Sequence, residues 1–190
     1  MKKIIITSLL ILHTITIFAQ KLPKNFSSDT IIWKQDSLLV KDNFRGKPKG
    51  NAPAFACTGI FLHTKESDGT IKFYVEAIFS KSQSYMKENS AYSLKHEQLH
   101  FDISELYARK LRKNINEKDF TKVKKIHDEI NTMSTKSGEE MRAEQKEYDS
   151  DTEHGINAAK QEAWIKNIAL RIKELDNYSS TEVNIVKKIN

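Results

Sequence analysis

The sequence predicts an α+β fold in which a small antiparallel sheet is followed by a three-helix half. Two observations carry this prediction. Up to about residue 82, aromatic and β-branched residues alternate between clusters of turn-forming residues. From Ser90 onward glycine and proline almost vanish, leaving only Gly138 and Gly155, while leucine, lysine and glutamate recur at helical spacing.

The elements follow in order. Lys2 and Lys3 precede an apolar run from Ile4 to Phe18, and Ala19 stands before Gln20, so residues 1–19 read as a secretory signal peptide and 20–190 as one domain. The run is shorter than the roughly 20 residues needed to span a bilayer, and no later stretch is apolar for long enough. A soluble protein, secreted or periplasmic, is expected. Strands are predicted at Ile31 to Lys34, Ser37 to Val40, Ala54 to Thr64 and Ile71 to Ser80, giving a strand-rich segment over 30–82. The breakers Gly46-Lys47-Pro48-Lys49-Gly50-Asn51 and Glu66-Ser67-Asp68-Gly69 separate them, and the last two strands are expected to form a hairpin.

The helical segment covers 90–176. Its first helix is predicted from Ala91 to Asn114, with apolar positions at Leu94, Leu99, Ile103, Leu106, Tyr107 and Leu111. The second is predicted from Glu117 to Glu147, interrupted near Ser134 to Gly138. The third is predicted from Thr152 to Asp176, with Ile156, Ala159, Ala163, Ile168 and Leu175 on its core face. The polar tail from Asn177 is expected to fray.

Composition narrows the function. The chain has 31 Lys and Arg against 25 Asp and Glu, but the signs interleave along the predicted helices, which describes a solvated surface and no nucleic-acid footprint. Cys57 is the only cysteine, so no internal disulfide can form, and the fold must be held by its core or by a metal. A lipid anchor, which needs a thiol at the cleavage site, is not expected.

The residues that carry chemistry lie on the first helix, in His96-Glu97-Gln98-Leu99-His100. Histidines four apart project from nearly the same face one turn apart, so both imidazoles can reach one ion. Glu97 sits beside that face, where a carboxylate can reach a water at the metal and act as general base. Zinc suits this arrangement, because it acidifies its water toward pH 7 and polarises a carbonyl.

A catalytic zinc site needs a third protein ligand. Ile103 and Leu106 stand where the longer histidine motif of the metzincins would need Gly and His, and Glu117 lies too close after the first helix to be favoured as a thermolysin-like ligand. The better source is Tyr148-Asp149-Ser150-Asp151-Thr152-Glu153-His154-Gly155, which a hairpin of helices can bring back to the pair. His154 is the first choice. Asp149 or Asp151 could ligate instead, leaving His154 or Tyr148 to donate to a developing oxyanion. Asp151 or Thr152 could equally cap the third helix. Tyr107, Trp33, Trp164, Phe73 and Tyr74 are read as packing, Cys57 as a small buried hydrophobe, and His63 and His127 as unremarkable surface or core histidines.

These motifs resemble the predicted secreted zinc-dependent proteases of bacteria, a family classed as a domain of unknown function. The resemblance rests on His96-Glu97-Gln98-x-His100-Phe101-Asp102-Ile103 and on Tyr148-Asp149-x-x-Thr152-x-His154-Gly155. More loosely it includes Trp33 and Phe44-Arg45-Gly46-x-Pro48. It implies a zincin-like peptidase fold over nearly the whole mature chain, with Zn2+ as cofactor and a peptide or protein as substrate. A zincin-fold binding protein without turnover and a zinc hydrolase of a non-peptide amide are the rival expectations.

Overall fold

The computed structural model describes residues 26–67, 70–87 and 90–186. The predicted signal peptide lies outside them. A single helical turn, α1 (Phe26–Asp29), leads into β1 (Thr30–Ile32), and a short ribbon strand, β2 (Ala54–Phe55), precedes the long hairpin of β3 (Thr58–Ser67) and β4 (Thr70–Ser80). After β5 (Tyr85–Met86) come α2 (Ala91–Glu117), α3 (Ile126–Asp151), α4 (Ala158–Glu174) and a final strand, β6 (Glu182–Val186). The α+β class and the sheet-then-helices order agree with the prediction.

The hairpin forms as expected, with Thr58 opposite Phe79 and Ser67 opposite Thr70. Its outer edge on β4 is shared end to end by two chain segments: β1 pairs antiparallel with Ile78 to Ser80, and β6 pairs antiparallel with Thr70 to Tyr74. Trp33 N–H to Ala77 C=O (3.0 Å) and Val75 N–H to Thr181 C=O (2.9 Å) continue the ladder between them. The tail expected to fray therefore completes the sheet, because Val183 and Ile185 alternate with Glu182 and Asn184 and bury their side chains on the core face.

That core face carries Ile60 and Leu62 of β3 with Phe73, Val75, Ala77 and Phe79 of β4, all buried. Helix α2 packs across it and is itself covered by α3 and α4, so it is buried around most of its girth from Leu99 to Ile115. Ser90 starts it by accepting the Ser93 N–H at 3.4 Å. A buried ion cluster locks α2 to the end of α4 and the segment after it. Glu105 Oε1 accepts from Arg109 Nε (2.9 Å) and Arg112 Nη2 (2.7 Å), while the two guanidinium groups also donate to the carbonyls of Ile172 (3.0 Å) and Ser179 (2.7 Å).

Four further predicted features are corrected. Ser37 to Val40 is no strand: the Leu39 N–H is satisfied by Gln98 Oε1 (2.8 Å) and the Val40 N–H by Asn43 Oδ1 (2.8 Å), which replaces a ladder with side-chain partners. The strand expected from Ala54 to Thr64 breaks at Ala56-Cys57, where the Cys57 N–H turns to Ser84 Oγ (2.8 Å) and the first two residues pair with β5 instead. The break in the second helix falls at 118–125, and α3 then runs unbroken through Ser134 to Gly138. Ser134, Ser137 and Gly138 are buried there, with Ser137 Oγ donating to the Tyr107 carbonyl (3.1 Å), so these small residues permit close approach to α2. The third helix begins at Ala158, capped by Asn157, which leaves Ile156 78% exposed and Ala159 and Ala163 on the outside. Its inward face is Gln161, Ile168 and the partly buried Trp164, Ile165, Ile172 and Leu175.

Candidate metal centre and its cleft

Helix periodicity places His96 and His100 one turn apart, and their ring centroids are 5.0 Å from each other. The last turn of α3 brings Asp149 between them. Asp149 Oδ1 is 3.2 Å from His96 Nε2 and 3.1 Å from His100 Nε2. One ligand atom from each of the three residues lies within 4.8 Å of the others, so His96, His100 and Asp149 form a group that can hold a metal ion.

The surroundings fix these donors. Gln161 Oε1 lies 3.2 Å from His96 Nδ1, which holds the tautomer with the proton on Nδ1 and turns the Nε2 lone pair toward Asp149. A lone pair facing a carboxylate oxygen at that distance is repulsive unless a proton or cation lies between them. Two imidazoles and one carboxylate are a donor set that catalytic zinc sites use. Tyr148, fully buried, stacks on His96 at 4.7 Å and meets His100 edge-on at 5.1 Å. Its hydroxyl donates to the His96 carbonyl (3.3 Å). Gln145 Nε2 does the same for the His100 carbonyl (3.1 Å), which ties α3 to α2 on the other side.

A tight turn between α3 and α4 closes the site. Thr152 organises it, with Oγ1 donating to the Tyr148 carbonyl (2.7 Å) and accepting the Gly155 N–H (3.2 Å). Glu153, His154 and Gly155 all take positive φ, at 51°, 55° and 87°. Two consecutive non-glycine residues in that region are costly and persist only where the surroundings impose them. Gly155 lies against the His96 ring, where a Cβ would sit 3.1 Å from Cγ and Nδ1.

Glu97 is buried, and its carboxylate accepts the Ala56 N–H at the break between β2 and β3. Burial pushes its carboxyl up, against the pull of His100 and His96. For Asp149 the balance reverses: burial works to raise the carboxyl, but the close approach of the His100 and His96 imidazoles holds it well below the usual range. His96, Glu97, His100 and Asp149 are among the residues that line an open cleft of about 840 Å³ between residues 52–56, α2 and α3.

Of the predicted third ligands, the structure brings Asp149 to the pair. His154 lines the cleft beside it, its Nδ1 3.9 Å from Asp149 Oδ1 and its side chain 79% exposed. Asp151 faces the other way and accepts from Trp164 Nε1 at 3.2 Å. Tyr148 supports the two rings from behind. Gln161 and Gln145 had no signal in the sequence, since a lone glutamine on an amphipathic helix is ordinarily a surface residue. Tyr107 is core, donating to Glu144 at 2.7 Å, and Trp33 packs with its N–H on Asp102 (2.8 Å).

Among the described residues no helix is long and apolar enough to cross a membrane. No curated protein and no solved structure matches the chain at a significant level. Residues 80–155, which contain both halves of this centre but neither Trp33 nor the Phe44 to Pro48 segment, match the family described as "Bacterial protein of unknown function (DUF922)".

Proposed function

We propose that this protein is an exported zinc-dependent metallopeptidase. The observation that carries the proposal is the convergence of His96, His100 and Asp149 on one point of an open cleft that the buried Glu97 also lines. His96, His100 and Asp149 would hold the zinc ion. Bound there, it would supply the acidity of a water and the polarisation of a scissile carbonyl.

The chain's own residues divide the remaining work. Glu97 takes the proton of the attacking water and passes it to the leaving amine; its raised carboxyl makes it a better base near neutral pH than an ordinary glutamate. The Ala56 N–H holds that carboxylate in place. His154, exposed at the rim, donates to the oxygen on which negative charge develops. Gln161 keeps His96 in the ligating tautomer. Residues 52–56 supply a wall along which an extended peptide can lie.

The test is to measure zinc content and peptide hydrolysis for the wild type and for Glu97→Gln, Asp149→Ala and His154→Ala. Glu97→Gln is expected to keep zinc and lose activity by about 10² to 10⁴-fold. Asp149→Ala is expected to lose most of the metal, whereas His154→Ala keeps it and loses rate. Stoichiometric zinc in Asp149→Ala with loss in His154→Ala would move the third ligand to His154. Wild type that binds zinc but cleaves nothing would leave a binding protein, and metal-free wild type would remove the enzyme proposal altogether.

A further inference from the structure

The cleft carries charge that the proposed chemistry does not use. Beyond the metal-binding group, Glu97 and His154, its charged lining residues are Arg142 and Lys146, both on α3. They stand seven and three residues before Asp149, on the face of the helix that Asp149 and Gln145 also present to the cleft. At 1.5 Å per residue they lie about 10 Å and about 5 Å along the helix from the metal-binding carboxylate.

Both cations are exposed, and among the described residues neither has a carboxylate within ion-pair distance. Their neighbours on α3 and α4 behave differently. Lys136 pairs with Glu140 on α3, and Arg171 pairs with Glu144 across from α4. Placing two like charges four apart on one helix is unfavourable for the helix itself. The pair is thus left without an internal counter-ion on the wall of an open cleft that leads to the metal-binding group.

We infer that Arg142 and Lys146 form an anion subsite that selects substrates with a carboxylate near the scissile bond. This rests on the peptidase proposal for the location of that bond. An extended peptide advances about 3.3 Å per residue, so Lys146 is within reach one to two residues from the scissile carbonyl and Arg142 about three residues away. The carboxylate can belong to a glutamate or aspartate side chain or to the free end of the peptide. Arg142 supplies a planar fork for it and Lys146 a flexible point charge.

The test uses fluorescent peptide pools of about ten residues, otherwise neutral, carrying two Glu, two Gln or two Lys at the centre, each with a free or an amidated carboxyl end. Binding by anisotropy and cleavage by mass spectrometry are measured for zinc-loaded wild type and for the double variant Arg142→Glu, Lys146→Glu. The wild type is expected to bind the Glu pool on the order of tenfold more tightly than the Gln pool at low salt, and the double variant to prefer the Lys pool. If preference follows the free carboxyl end instead of the central Glu, the subsite reads a peptide terminus.

Equal binding and cleavage of all pools by the wild type, or an unchanged preference in the double variant, overturns the anion subsite and leaves the peptidase proposal standing. Preferred binding of the Glu pool without cleavage of any pool keeps the subsite and overturns the peptidase proposal. No binding and no cleavage overturns both. Both positions are exposed, so the double variant is expected to fold, which its melting curve checks.

Discussion

Gly155→Ala is expected to damage the candidate metal centre without touching any of its proposed ligands. Two effects add at this position. The residue sits at φ 87°, and an L side chain there costs about 1–2 kcal/mol of backbone strain. The new Cβ would also lie 3.1 Å from His96 Cγ and Nδ1 and 3.3 Å from Gln161 Oε1. Those neighbours must give by a few tenths of an ångström, and overpacking of this kind typically costs about 1–3 kcal/mol. Because His96 is held between Gly155, Gln161 and the Tyr148 ring, the yielding group is the proposed ligand itself. Loss of such supporting contacts lowers metal affinity by about 10–100-fold.

The control is Gly50→Ala. Gly50 has a similar φ of 65°, but a Cβ there meets nothing within 4 Å, so it carries the backbone strain alone. Zinc affinity, measured by competition with a fluorescent chelator, should fall in Gly155→Ala and stay constant in Gly50→Ala, while both variants lose thermal stability. Equal zinc affinity in the two variants would refute the claim that Gly155 positions His96.

Other expectations concern the frame around the site. Burial works to raise the Glu144 carboxyl, but hydrogen bonds from Arg171 and Tyr107 outweigh it and hold it below its ordinary 4.5. A lowered folded-state value contributes stability that is present above the unfolded value and lost as pH falls through the folded one. Glu144→Gln should therefore cost about 1–3 kcal/mol at pH 7 and progressively less below about pH 4.5 in urea unfolding series; a pH-independent cost would refute the assignment. Glu105→Ala leaves the buried guanidinium groups of Arg109 and Arg112 without their carboxylate and should cost about 3–5 kcal/mol, against which a loss under about 1 kcal/mol would count. Deleting residues 182–190 removes β6 and uncovers the β4 edge at Thr70 to Tyr74. Loss of the buried Val183 and Ile185 should lower stability by about 3–6 kcal/mol, and light scattering should show association through the opened edge.

How much was legible follows the range of the interactions involved. The β3–β4 hairpin can be read because alternation and a turn cluster are local signals, and α2 because its apolar residues recur at helical spacing. The strand β6 alternates as well, but two buried apolar residues in a polar tail do not stand out from noise. The start of α3 has no local signal, because 118–125 contains neither glycine nor proline. There the chain turns through Asp119 Oδ1 accepting the Thr121 N–H at 2.9 Å, a local bond that competes with helix. Ser134 to Gly138 looked like a break, since small polar residues in a helix signal one unless a neighbouring helix needs the space.

The same division runs through the site. Sequence alone determined that His96 and His100 share a helix face with Glu97 beside them, because 3.6 residues per turn sets those angles whatever the rest of the chain does. It also singled out Tyr148 to Gly155 as the better candidate segment for a third ligand. Only the tertiary structure decided that Asp149 enters the group while His154 stays at the rim, that Tyr148 stacks behind the rings, and that Gln161 selects the tautomer. Those positions depend on how α3 and α4 pack on α2 and on three successive residues of positive φ. No spacing within one element encodes the relation between two.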